Sequence, residues 1–152
     1  MMTTIFPKQA DNRFRGQLPA IWIFVLLVMA KTGMSAVSLF NARQAATGAD
    51  GIPLERFVGG GAEAVVALFA LLGLCQLVLA LLGALAAVRY RSLIPLFYLV
   101  FLVEQLSRKL VLAFYPIMRS TAQPTGSTVN MVLLGLLVLG FLLSVIKRRG
   151  AG

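Results

Sequence analysis

Four long apolar runs dominate the sequence and constrain its fold more than any other feature. A helix needs about 20 apolar residues to cross the hydrocarbon core of a bilayer. Only 12% of the 152 residues are charged, whereas about 25% is usual for a soluble domain. The sequence therefore predicts an all-α, polytopic membrane protein, built as one antiparallel bundle of four transmembrane helices. The predicted spans are 18–40, 62–88, 93–115 and 129–146, with outer loops at 41–61 and 116–128.

The amino-acid composition excludes several classes of metalloprotein and enzyme. The sequence contains no histidine and a single cysteine, Cys75. Histidine-ligated metals, Ser-His and Cys-His catalytic pairs, internal disulfides and CxxC redox motifs are therefore all excluded. We expect no cofactor and no metal site, and we interpret Cys75 as a small apolar side chain that is buried between helices.

The basic residues are distributed unevenly between the two sides of this topology. The net charge is +9, and the bases lie mostly at the edges of apolar runs, which is typical of membrane proteins rather than of nucleic-acid-binding surfaces. The positive-inside rule predicts that both termini are cytoplasmic. Short loops favour the bacterial cytoplasmic (inner) membrane, and we expect no nucleic acid as a partner. One side carries eight bases, namely Lys8, Arg13, Arg15, Arg89, Arg91, Lys147, Arg148 and Arg149, and the other carries Arg43, Arg56 and Arg119.

A stripe of small residues follows one face of the second span. Its central members are Gly73, Gln76, Ala80 and Gly83, which follow one another by three or four residues and so share one side of a helix. Small residues let membrane helices approach closely, because packing rather than the hydrophobic effect holds helices together in lipid. We call these four residues the small-residue seam. We predict that the seam places the second span at the centre of the bundle.

Charged side chains inside the apolar runs are the strongest functional signal, because ionised groups are costly in a bilayer and usually face protein or water. At a rise of about 1.5 Å per residue, all of them fall in the outer half of the spans. Residues four apart on the third span share a helix face, so a carboxylate and a guanidinium can meet there. The predicted ligand or ion-pair cluster consists of Lys31, Glu63, Glu104, Gln105, Arg108 and Lys109.

The charges of this cluster allow three interpretations, one of which is docking to another membrane protein. Its three positive and two negative groups can neutralise one another and fix the helix packing, with Lys109 reaching toward the outer headgroups. The excess positive charge also suits a bound carboxylate or phosphate, because a guanidinium contacts either group bidentately.

The connections between the spans differ in length. Arg89–Ser92 joins the second and third spans by a very short turn, which predicts that these spans are antiparallel neighbours. The 41–61 connection is long and rich in glycine, and we interpret it as a flexible connection.

These features predict a class of function but no specific activity. The first hypothesis is a non-enzymatic membrane component, either an accessory subunit or a bundle that binds a lipid or another amphipathic molecule. The alternative is a small transporter or channel for an anion or a proton-coupled solute. An enzyme is the third hypothesis, and it would use Glu104 or Glu63 as an acid–base group, although no catalytic set is evident. The predicted partners are the bilayer, an anionic lipid or small amphipathic ligand, and another membrane subunit or a second copy of the chain.

Overall fold

A computed structural model describes residues 2–7, 9–117, 119 and 125–146 of the chain. The fold is all-helical, and no strand occurs in these ranges. Four long helices follow one another along the chain. They are α1 (Leu18–Phe40), α2 (Gly61–Arg89), α3 (Ile94–Phe114) and α4 (Thr125–Val145).

Three of the four helices have the length and composition of membrane spans. α1, α2 and residues Gly126–Val145 of α4 have mean hydropathies of 1.9, 2.8 and 2.3. α3 is as long as α4 but does not belong to this set, because it contains Glu104, Arg108 and Lys109. The structure therefore shows three helices that are apolar enough to cross a membrane, where the sequence predicts four.

Local sequence explains where the helices begin. Pro19 and Pro95 lie in the first turns of α1 and α3, where a missing N–H breaks no intrahelical hydrogen bond. Gly60 precedes α2 with φ of 81°, a conformation that glycine adopts without strain. α4 begins at Thr125, four residues before the predicted span. Ser127 and Thr128 fall in the first turn, whose N–H groups lack intrahelical acceptors, so polar residues are accommodated there.

α1, and not α2, occupies the centre of the structure. α1 packs against each of the other long helices, and 28% of its apolar window is buried, compared with 11% for α2. The prediction of a central second span is wrong because the small residues of α2 lie on one face only. An apolar helix gains nothing from leaving lipid for protein, so α2 needs only one closely fitted neighbour. Cys75, which we expected to be buried, is exposed on α2.

The glycines of the small-residue seam set the close approach of α2. A Cβ atom at Gly73 would lie 2.7 Å from the backbone nitrogen of Leu39 on α1, so no larger residue fits without moving the helix. A Cβ atom at Gly83 would lie 2.9 Å from the ring of Phe101 on α3 and 3.2 Å from a methyl group of Val28 on α1. α2 and α3 therefore meet beside this glycine, near the short turn that joins them.

Aromatic side chains form the core between α1 and α3. The ring of Phe24 lies 5.1 Å from the ring of Tyr98 and 5.9 Å from the ring of Phe101, centroid to centroid. The hydroxyl of Tyr98 donates a hydrogen bond to the carbonyl oxygen of Ala20 at 2.7 Å. On α4, the missing side chain of Gly140 leaves room for the ring of Tyr98. These contacts fix the register of α1 against α3 and α4.

The N-terminal arm folds back against the turn between α2 and α3. The N–H of Asp11 donates to Oγ of Ser92 at 2.9 Å, and the hydroxyl and N–H of Ser92 both donate to the carbonyl oxygen of Asp11. The N–H of Gln17 donates to the carbonyl oxygen of Leu143 on α4 at 3.1 Å. The arm, the turn and the last residues of α4 therefore share one end of the helices, which we call the basic end. Four bases of the predicted charge asymmetry, Lys8, Lys147, Arg148 and Arg149, lie outside the described residues.

The connection between α1 and α2 forms the opposite end, which we call the loop end. Short helical segments follow one another at Ala42–Gln44, Ala45–Ala49 and Leu54–Arg56. Ala46 and Ile52 are buried and pack against the first turns of α2. The interpretation of this segment as a plain flexible connection is wrong, because its apolar residues form a small core together with the first turns of α2.

Candidate functional site

An ion pair between α1 and α3 forms the centre of the candidate site. Nζ of Lys31 lies 2.7 Å from Oε2 of Glu104, and the two side chains are 7% and 20% exposed. The aromatic core, which fixes the register of α1 against α3, lies about two helical turns closer to the basic end than this ion pair does. Lys31 lies 13 residues after the start of α1, which is about 20 Å along the helix. The pair therefore lies in the half of the structure that is nearer to the loop end.

The positive charge of Lys31 has a second favourable neighbour. Its Nζ atom lies 5.2 Å from the centroid of the Phe101 ring, within the range of a cation–π contact. One turn further on, the hydroxyl of Ser35 donates to the carbonyl oxygen of Lys31 at 2.6 Å. The carboxylate of Glu104 and the ring of Phe101 therefore hold the ammonium group, while the bond of Ser35 satisfies its own buried hydroxyl within α1.

The second carboxylate oxygen of Glu104 is less well satisfied. Oε1 lies 3.7 Å from Nη1 of Arg108, which is too far for a hydrogen bond. This oxygen is buried and has no hydrogen-bond partner among the described residues. A buried acceptor without a donor costs free energy, so the hydrogen-bond donor of a water molecule or of a ligand would be stabilised beside it.

A cleft beside the ion pair receives residues from all four long helices. Its volume is about 320 Å³, part of it open to the surroundings, and its innermost part has room for about one water molecule. One wall is held by Gln105 of α3, whose Nε2 atom donates to Oδ1 of Asn130 on α4 at 3.1 Å. The polar residues that line the cleft are Lys31, Gln76, Gln105, Arg108 and Asn130.

The cleft is electropositive. Lys31 and Arg108 both line it, and one carboxylate, that of Glu104, is shared between them. The side chain of Arg108 is 30% exposed, and the described residues give its guanidinium no hydrogen-bond acceptor. Because a guanidinium has five donors, Arg108 can bind an anion in the cleft while it stays close to Glu104.

Glu63, which the sequence places in the cluster, lies elsewhere. Its side chain is exposed in the first turn of α2 and belongs to neither ion pair of the described residues. Gly83 of α2 packs on Val28 of α1, and the two helices are antiparallel. The residue of α2 at the same height as Lys31 is therefore about three positions before Gly83. Glu63 is therefore on the order of 25 Å away along the helix.

The remaining predicted site residues are divided between the cleft and the surface. Gln105 is buried in the cleft wall, and Gln76 is the member of the small-residue seam that reaches the cleft. Lys109 does not line the cleft, and its exposed Nζ atom lies 2.9 Å from the sulfur of Met131 on α4. The other members of the seam, Gly73, Ala80 and Gly83, are buried and serve helix packing.

Asp50, at the loop end, is a charged neighbour that the sequence does not reveal. Its Oδ1 atom lies beside the first turn of α4, since a Cβ atom at Gly126 would be 3.1 Å away from it. Burial raises the pKa of the Asp50 carboxyl, while the positive charges of Arg108 and Arg119 oppose that rise. The only signal in the sequence is an aspartate in a long connection. The fold of that connection carries Asp50 toward Arg108.

The described residues contain no cluster of three or more carboxylates or cysteines that could hold a metal ion. Comparisons with protein-family models, with curated proteins and with solved structures find no match. The function therefore has to be argued from the chemistry of the cleft.

Proposed function

We propose that α3 also spans the membrane, so that the four long helices form an antiparallel transmembrane bundle. α3 has 21 residues, enough for a hydrocarbon core of about 30 Å. Its charges are accommodated without exposure to the middle of the bilayer. Glu104 is paired with Lys31, Arg108 faces the cleft, and Lys109 is close enough to the loop end to reach the headgroups.

The charge asymmetry supports an orientation in the bacterial inner membrane in which the basic end, and hence both termini, face the cytoplasm. The test uses a protein in which Cys75 is replaced by alanine. Single cysteines are then introduced as Arg91→Cys at the basic end and Arg56→Cys at the loop end, both exposed positions. In intact cells a membrane-impermeant maleimide should label position 56 but label position 91 only after permeabilisation. Labelling of position 91 from outside would overturn the topology.

The function that the geometry supports best is binding rather than catalysis. The cleft binds the anionic group of a lipid or of another amphipathic molecule. The observation that carries this proposal is Arg108, which lines the cleft together with Lys31 and whose guanidinium has no hydrogen-bond acceptor among the described residues, since its ion-pair partner Glu104 lies 3.7 Å away. Carboxylates and phosphates are the ligands that match a guanidinium most closely.

The rest of the cleft lining suits the apolar part of such a molecule. Leu27, Met34, Leu133 and Leu137 complete the walls between the polar residues. The enclosed part of the cleft has room for about one water molecule. The anionic group is therefore held at the open mouth of the cleft beside Arg108, while an alkyl chain extends along the apolar walls.

The experiment compares two probes that share one alkyl chain, oleate with a charged carboxylate and oleyl alcohol with a neutral hydroxyl group. Binding of each is measured on the purified full-length protein in a neutral detergent. A charge-assisted hydrogen bond contributes about 1.5–3 kcal/mol, so Arg108→Gln should weaken oleate binding by roughly tenfold or more. Lys109→Gln is the matched control, because it removes the same charge one residue away and outside the cleft. Its effect should stay below about twofold.

Two outcomes would contradict the binding proposal. One is equal affinity for oleate and oleyl alcohol, and the other is an equal loss of affinity in Arg108→Gln and Lys109→Gln. A second membrane protein that co-purifies in fixed ratio, without oleate binding, would instead support the function of an accessory subunit.

Transport of an anion or a proton-coupled solute is a second candidate, and the buried Oε1 atom of Glu104 favours it. An ionisable side chain inside a membrane-spanning helix usually marks a substrate or ion pathway, and this carboxylate oxygen is buried without a hydrogen-bond donor among the described residues. Proteoliposomes that contain a pH-sensitive dye test this function. Proton flux in the wild type that disappears in Glu104→Gln would support transport, and equal flux in both would exclude this role of Glu104.

A further inference from the structure

A second electropositive groove lies at the basic end, far from the cleft. It forms where the N-terminal arm crosses the start of α3, and its volume is about 220 Å³, part of it open to the surroundings. Two arginines, Arg13 and Arg15, line it together with Ser92 and the buried residue Thr4. The groove shares no lining residue with the cleft between the helices.

The arm that carries the two arginines is held in a defined position. Three hydrogen bonds join Asp11 to Ser92, and a fourth joins Gln17 to α4. Between these anchors, the ring of Phe14 packs against the main hydrophobic core. Arg13 and Arg15 flank this anchored ring, so both are attached to a fixed segment of backbone rather than to a loose terminus.

The positive charge of the groove is not neutralised within the described residues. Neither arginine belongs to an ion pair there. The nearest carboxylate in sequence is that of Asp11, whose Oδ1 atom accepts a hydrogen bond from the backbone N–H of Arg13 at 3.1 Å. Two exposed arginines of the neighbouring turn, Arg89 and Arg91, add to the positive potential of this end.

The helix termini at this end offset one another. The N-termini of α1 and α3, at Leu18 and Ile94, and the C-termini of α2 and α4, at Arg89 and Val145, all lie there, so the positive potential comes from the arginine side chains. Leu18 and Ile94 also mark the level at which the apolar segments begin. The groove therefore lies at the level of the lipid headgroups in the proposed topology.

From this geometry we propose that the groove binds a phosphate-bearing anion, held by the guanidinium groups of Arg13 and Arg15. The phosphate comes either from the headgroup of an anionic phospholipid or from a soluble molecule. The site is independent of the anion-binding cleft, and neither proposal requires the other.

The test measures lipid binding to the full-length protein by native mass spectrometry from a neutral detergent. The probes are phosphatidylglycerol, which carries a net negative charge, and phosphatidylcholine, which carries none. The double variant Arg13→Gln with Arg15→Gln should weaken phosphatidylglycerol binding by roughly thirtyfold, at about 1 kcal/mol for each base near the membrane surface. Competition by millimolar inorganic phosphate would identify a soluble source, and its absence would identify the lipid headgroup.

Two control proteins separate a built site from a diffuse basic surface. Arg43→Gln with Arg56→Gln removes two exposed charges from the loop end and should change binding by less than about twofold. Arg13→Lys with Arg15→Lys keeps the charge but loses bidentate contact, so it should bind severalfold more weakly than the wild type. Equal losses in the two glutamine variants, or wild-type affinity in the lysine variant, would overturn the proposal. All four arginines are exposed, so helical content measured by circular dichroism should be unchanged throughout.

Discussion

α1 and α2 are both long apolar helices, yet they occupy different places in the structure. α2 is the more hydrophobic, with a mean hydropathy of 2.8 against 1.9, but it is the less buried. α1 contains the buried groups Lys31 and Ser35 and contacts all three of the other long helices. In a soluble protein the more hydrophobic helix would be expected inside.

This difference shows that hydrophobicity does not determine which helix lies at the centre of a bundle in lipid. Apolar side chains are equally well solvated by lipid tails and by protein, so they do not select the interior. A charged side chain does select it, because exposure to hydrocarbon is costly. Lys31 therefore requires a position among other helices, whereas α2 requires only one closely fitted contact through its glycines.

The largest effect is expected from removing the buried charge of α1. Lys31→Met leaves Glu104 without its closest counter-charge, and breaking a buried ion pair costs about 3–5 kcal/mol. Glu63→Gln is the matched change on α2, and because Glu63 is exposed its cost should stay within about 0.5 kcal/mol. Unfolding of the two variants in detergent, followed by circular dichroism, measures both costs.

A double variant sharpens this comparison. Lys31→Met combined with Glu104→Gln removes both charges and should recover most of the lost stability, since a buried pair is often replaceable by neutral groups. If Lys31→Met alone is no more costly than Glu63→Gln, the ion pair does not stabilise the centre of the bundle.

The next effect concerns the close contact that places α2 against α1. Gly73→Ala introduces a Cβ atom 2.7 Å from the backbone of α1, and such overpacking costs about 1–3 kcal/mol. Gly33→Ala on α1 is the control, because nothing lies within 4 Å of a Cβ atom there. That substitution should be neutral, or stabilising by up to about 1 kcal/mol, because alanine favours the helix. Opposite results for the two glycines would show that α2 does not pack through its seam.

A smaller effect is expected where α1 meets α3. Tyr98→Phe keeps the ring against Gly140 but removes the hydrogen bond from the hydroxyl to the carbonyl oxygen of Ala20. The loss of one such bond costs about 1 kcal/mol. Thermal unfolding of this variant measures it, and an unchanged melting temperature would show that this bond contributes nothing to the α1–α3 contact.

The smallest effect concerns the folded connection between α1 and α2. Burial raises the pKa of Asp50 above its ordinary value of 3.8, so folding favours the protonated carboxyl. Its contribution to stability is fully present below that ordinary value and is lost as the pH rises through the raised pKa. Asp50→Asn should therefore be more stable than the wild type at neutral pH, by less than about 1 kcal/mol because the group is partly exposed.

Melting temperatures of Asp50→Asn and the wild type between about pH 4 and about pH 7 check this prediction, and the difference should shrink toward the acidic limit. If the variant is instead less stable at neutral pH, the negative charge of Asp50 stabilises the adjacent N-terminus of α4 by more than its burial costs.

The sequence alone does not predict the short helical segments between Ala42 and Arg56, but it does predict the helical class, the membrane character and the ends of the four long helices to within four residues. These are local properties, because apolar run length, prolines in first turns and glycines before α2 act within a few residues of the chain. The common depth of Lys31 and Glu104 was also readable, since helical rise converts residue number into distance along the axis.

The packing of the helices determines which helix lies at the centre, which charged side chains form ion pairs and where Asp50 lies, and the sequence does not predict these. Glu63 and Glu104 look alike in the sequence, but only Glu104 reaches Lys31, because the rotation and offset of each helix about its neighbours come from steric fit. The small-residue seam predicts a close helix contact but not which helix makes it, since a glycine accepts any surface of matching shape. The cleft and the groove at the basic end exist only once several separate segments are packed together.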